Sequence, residues 1–185
     1  TNTMNALSSL IDASGADILV FNGDLDCGAK NRAELAAAWE SINAILEQKA
    51  VSFIYTLSNE ESLPHTMISE VVSSMDRCIG GGCGVYTVCR NDGEPLTSII
   101  TASHNSSDAA DGVVAAVDEL IPFWKNTTGK KFPLLAGVPD APSDLYNTAA
   151  SLSASGTLIP CTDDETNAIL KAAFSAEADH IILGG

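Results

Sequence analysis

The chain has 185 residues, 45% of them hydrophobic, which is long enough for one domain with a proper core. Nine Lys and Arg against 24 Asp and Glu give a net charge of −15, which repels phosphate backbones and anionic membrane surfaces and argues against nucleic acid as a partner. No apolar run approaches the ~20 residues that span a bilayer, and the first residues, Thr1-Asn-Thr-Met4, lack the charged start of a signal peptide.

In chain order, Met4, Leu7, Leu10 and Ile11 repeat at helical spacing behind two capping candidates, Asn2 and Thr3, and Gly15 stands where a left-handed residue would end the helix. Ile18 to Phe21 is a short apolar run that predicts a strand buried on both faces, stopped by Asn22-Gly23-Asp24. Asn31-Arg-Ala-Glu34 makes a capping box, and Leu35, Trp39, Ile42 and Leu46 form one apolar stripe behind it. Val51 to Leu57 is rich in β-branched and aromatic residues and predicts the next buried strand, completing a β-α-β unit closed by Ser58-Asn-Glu-Glu61. Ile68, Val71, Val72 and Met75 predict a helix starting near Pro64, after which Gly80-Gly-Gly82 breaks the chain. Val85 to Cys89 and Leu96 to Ala102 flank Asn91-Asp-Gly93, a hairpin turn, so the sheet system is mixed.

Further on, Val113, Val117, Leu120, Ile121 and Trp124 form another helical stripe, and Phe132 to Ala136 a strand with an irregular loop, Gly137 to Pro142, at its end. Asp144 to Leu152 reads as helical, Thr162-Asp-Asp-Glu165 opens a helix through Phe174, and His180 to Leu183 is the last strand. No repeat, linker or low-complexity block divides residues 1–185, which read as a single domain and, ending just after a strand, as a fragment.

Cys27, Cys78, Cys83, Cys89 and Cys161 are odd in number, and C-x4-C-x5-C lacks the C-x2-C pair of a zinc knuckle, which leaves one local disulfide or buried thiols. Two glycosylation triplets, at Asn105 and Asn126, together with the cysteine cluster and the low Lys content, point to a secreted protein.

A carboxylate at the C-terminal end of a buried parallel strand sits where open α/β sheets hold ligands, which singles out Asp24. The order of strand, Gly23-Asp24, long helix with Ala38-Trp39-Glu40, and strand ending in Leu57-Ser-Asn-Glu60 resembles the calcineurin-like metallophosphoesterases. Gly84-Val-Tyr-Thr-Val88 with its hairpin, followed by Ser98 to Ser103, resembles the purple acid phosphatase-like branch. The resemblance implies an α/β sandwich of two mixed β-sheets flanked by helices, lacking here the first strand and the C-terminal motif. It also implies a divalent metal pair, with Asp24 as bridging carboxylate and Asn59 as asparagine ligand; two such cations would neutralise a phosphoester and lower the pKa of the attacking water.

Other positions depart from that pattern. Ser58 and Glu60 stand where the family has glycine and the catalytic histidine, and a carboxylate donates no proton to a leaving oxygen near neutral pH unless its pKa is strongly raised. Ala136-Gly137 replaces another histidine, and His65, His104 and His180 are scattered. The expectation is therefore a catalytically degenerate domain, a pseudoenzyme with no resident cofactor, acting as a structural or binding module with other protein chains. The alternative is an active metal-dependent phosphoesterase whose missing ligands lie outside this segment. Glu60 and Glu61 are substitute oxygen ligands for a hard cation, and a third reading holds one calcium through Asp24, Asp26 or Glu60. Thr101-Ala-Ser-His-Asn105 resembles the phosphoserine loop of phosphohexomutases, but Ser106 stands where that family has proline.

Overall fold

A computed structural model describes residues 2–58, 61–82 and 84–101, and the strand backbones 134–138, 141–142, 160–161 and 180–183. Helix α1, Asn2–Ser14, ends as its sequence predicts, with Gly15 left-handed at φ 62° and its N–H donating to the Ile11 carbonyl at 3.0 Å. Ile11 is the buried residue of α1, with Met4 and Leu7 packed partly against the same core.

Strand β1, Ile18–Asn22, and strand β2, Ser52–Thr56, pair in parallel from Ile18 against Ser52 to Asn22 against Thr56. Helix α2, Arg32–Lys49, joins them. The Asn31 side chain caps it, accepting from the N–H groups of Ala33 at 3.1 Å and Glu34 at 3.0 Å. Glu34 reaches back one residue further than a simple capping box, accepting from the Lys30 N–H at 3.0 Å and the Asn31 amide at 2.8 Å. All four residues of the predicted stripe, Leu35, Trp39, Ile42 and Leu46, are buried against β2 and against Ile68, Val71 and Val72 of helix α3, His65–Ser73. At the centre the Trp39 ring stacks on Phe53 at 5.4 Å, and Phe21 meets both edge-on.

Two expectations for this sheet need correction. Strand β1 is half-buried along its length, not buried on both faces, because the order β1-β2-β3 puts β2 at the centre and β1 at an edge. The glycine run does not break the chain at its start: β3, Cys78–Gly81, pairs in parallel with β2. The two glycines inside β3 serve close approach, since a Cβ on Gly81 would collide with the Tyr55 ring and one on Gly80 with the Tyr86 ring.

The predicted hairpin is present as β4, Gly84–Cys89, antiparallel to β5, Pro95–Thr101. Strand β5 continues in parallel to β6, Leu134–Val138, and β6 to β9, His180–Leu183, giving the order β4-β5-β6-β9. A two-residue pairing of β7, Ala141–Pro142, with β8, Pro160–Cys161, lies where the sequence predicts loop, because two residues carry no periodicity. The architecture is mixed α/β with helices and small sheets, and only the second of the two larger sheets is mixed, since β1-β2-β3 is wholly parallel. The helices expected over 113–124, 144–152 and 162–174 lie outside the described residues. Among the described residues no helix is long and apolar enough to cross a membrane, and Cys27, Cys78 and Cys89 are unbridged thiols.

Candidate functional site: the loops that end the first two strands

Strands β1 and β2 run in parallel, so their C-terminal ends deliver Asp24, Asp26 and Glu61 to one edge of the sheet. The approach is close. Gly23 sits at φ 78°, and a Cβ there would lie 2.9 Å from Ser58 Cβ, so only glycine lets the two strand ends touch. The Gly23 N–H donates to the Thr56 carbonyl at 3.1 Å, and the Thr56 hydroxyl to Asn22 Oδ1 at 2.7 Å.

Asp24 follows in the left-handed region at φ 60°, a conformation aspartate tolerates better than most residues, and it is exposed at the tip of the turn. Asp26 is 7% exposed and directed inward. Its Oδ1 accepts from the Gly28 N–H at 2.9 Å, and its Oδ2 from the Ser62 N–H at 2.8 Å and from the Ser62 hydroxyl. These donors, the Ser62 hydroxyl foremost and the Gly28 N–H next, outweigh burial and hold the Asp26 carboxyl below its ordinary range.

Glu61 reciprocates from the other loop. Its Oε1 accepts from the Leu25 N–H at 3.1 Å and its Oε2 from the Asp26 N–H at 3.1 Å, while the Ser58 N–H and hydroxyl both reach Oε1 at 3.4 Å. A third tie comes from the core, where the Trp39 indole N–H donates to the Leu25 carbonyl at 2.9 Å. Cys27 stands beside this cluster with its Sγ 3.4 Å from the Leu25 carbonyl. The residue counts as exposed, yet desolvation of its sulfur first, then the charges of Asp26, Asp24 and Glu61, push the thiol up to about 11. It is therefore protonated at neutral pH and is a poor nucleophile.

A metal pair needs carboxylate, amide and imidazole lone pairs converging on shared points. Here the lone pairs of Asp26 and Glu61 converge on N–H and O–H donors of the protein itself. Asp24 is brought near Asp26 and Glu61 but points from an exposed turn, while Asn59 and Glu60 lie outside the described residues, as do Asn105 and Asn126. Among the described residues no group of three or more His, Cys, Asp or Glu is placed to hold an ion. The described residues thus do not fit the two-metal site that the resemblance implies.

Sequence reasoning singled out Asp24 and passed over the reciprocal pair. One signal was legible: Asp26 two residues before Gly28 is an Asx-turn pattern, and the side chain makes that turn. The Glu61 contact, 36 residues from Leu25, left no local signal. At the opposite end of β1, a cleft of about 730 Å³ lies between Asp17 and Ile18 and the hairpin residues Val88 to Asp92 and Leu96. It gathers exposed polar groups and no buried one.

Comparison of the chain with protein-family models gave no match, and comparison with curated proteins gave none either.

Proposed function

We propose that this chain is a catalytically degenerate metallophosphoesterase-like domain, working as a binding or structural module among other protein chains in a secreted assembly. The observation that carries the reading is the orientation of the strand-end carboxylates. In a working two-metal site such groups present lone pairs to cations, whereas Asp26 and Glu61 spend theirs on backbone and serine donors of the two loops. Carboxylates used in this way fix the shape of a surface and supply neither a metal-bound nucleophile nor a proton donor. Cys27, kept protonated beside them, adds no nucleophile.

The test is metal analysis of the purified chain combined with an aryl phosphate assay in the presence of added divalent ions. The expected result is no stoichiometric metal and no turnover above that of the buffer. Turnover that is lost on Asp24→Asn would sink the reading in favour of an active phosphoesterase, whose remaining ligands would lie elsewhere. Calcium-dependent thermal stabilisation that is lost on Asp24→Asn would instead favour a calcium-binding module.

A further inference from the structure

Between Asn22 and Ala29 the backbone turns on four left-handed residues, Gly23 at φ 78°, Asp24 at 60°, Cys27 at 54° and Gly28 at 73°. The first two leave consecutive N–H groups, those of Leu25 and Asp26, aimed to the same side. Successive N–H groups in such a turn form a concavity that binds anions. An anion is in it: one carboxylate oxygen of Glu61 sits 3.1 Å from each N–H, and the Ser58 N–H and hydroxyl close on Oε1 at 3.4 Å. Four donors from two loops therefore meet a single carboxylate, at the strand ends where α/β sheets hold ligands.

We infer that the Leu25–Asp26 turn and Ser58 form a carboxylate-binding seat for which Glu61 is the built-in occupant, so that displacing Glu61 opens it to an acidic side chain or chain terminus of a partner protein. Two features select a carboxylate over other oxyanions. The two N–H groups are matched one to each oxygen of a planar group, the manner in which backbone concavities capture carboxylates. The carboxylates of Asp24 and Asp26 stand close enough to act on the neighbouring Cys27, and they penalise a dianion more than a monoanion. Glu61 competes as an intramolecular ligand at high effective concentration, which makes its contact autoinhibitory toward any external carboxylate. The seat requires no metal and no phosphoester, so it stands apart from the function proposed above.

The experiment is an acetate titration of the Glu61→Ala chain, followed through backbone amide resonances and the melting temperature, with sodium chloride at matched ionic strength as control. Saturable shifts at Leu25, Asp26 and Ser58, with a rise in melting temperature in acetate, are expected in the variant and absent from the wild-type chain. Shifts spread over the surface, or equal in both chains, overturn the inference. If Glu61→Ala is unfolded in chloride, folding in acetate supports the seat, and failure in both salts counts against it. Glu61→Gln supplies an independent readout, because its amide offers one acceptor oxygen and turns an NH2 toward the other N–H. Hydrogen exchange at Leu25 or Asp26 should then accelerate about tenfold; unchanged exchange at both would overturn the assignment.

Discussion

Two turns of this molecule are held in opposite ways. The hairpin turn between β4 and β5 is closed by neighbours: the Arg90 N–H donates to the Glu94 carbonyl at 2.8 Å, the Gly93 N–H to the Arg90 carbonyl at 2.9 Å, and the Glu94 N–H to Asp92 Oδ1 at 3.1 Å. The loop after β1 is closed by Glu61, Ser62 and the Trp39 indole, residues far along the chain. A local turn can form before the rest of the fold exists, whereas the β1 loop takes its shape only once α2 and β2 are packed. Its substitutions should therefore act on global stability, and those in the hairpin should act weakly.

The strongest way to break the contrast is Trp39→Ala, which removes a buried ring together with the donor to Leu25 and should cost about 3–5 kcal/mol in urea unfolding. Next, Asp26→Ala leaves the Gly28 and Ser62 N–H groups without their acceptor, at a cost of about 2 kcal/mol by the same measurement. The charge of Asp26 also gives this loop a pH signature. A carboxyl held below its ordinary range when folded contributes stability that is full above its unfolded pKa and is lost as the pH falls through the lower folded value. Urea midpoints measured across the acid range should accordingly fall less steeply for Asp26→Asn than for the wild-type chain, and parallel curves would contradict this. In the hairpin, Gly93→Ala meets a left-handed position at φ 86° and should cost about 1 kcal/mol, the largest effect expected there. Arg90→Ala removes a 3.1 Å ion pair to Glu94 whose partners are both more than half exposed, so the midpoint should move by no more than about 0.5 kcal/mol.

The same division separates what was legible in the sequence from what was not. Helix α2 could be read to its cap, because Asn31, Glu34 and the Leu35-Trp39-Ile42-Leu46 stripe are local patterns whose meaning does not depend on the rest of the chain. The hairpin was legible for the same reason, through Asn91-Asp-Gly93. Strand β3 was hidden because Gly80 and Gly81 signal a break unless the rings that lie over them are known, and those belong to Tyr55 and Tyr86. The half-burial of β1 depends on strand order, which an apolar run cannot state. In the site, Asp24 stood out by its position at a strand end, while the reciprocity of Asp26 and Glu61 emerged only when two loops 35 residues apart were brought together.

The glycines of β3 bear on how the parallel sheet finds its alignment. A glycine-rich strand offers few side chains to fix its pairing and is prone to slip along its neighbour. Here Tyr55 covers Gly81 and Tyr86 covers Gly80, and the residue before them, Ile79, carries a branched side chain. Sliding β3 by one position toward its C-terminus would bring Gly80 under Tyr55 but Ile79 under Tyr86, which has no room for it. The two rings thus act as gauges, each accepting a position without a side chain, and together they admit a single alignment of β3 on β2.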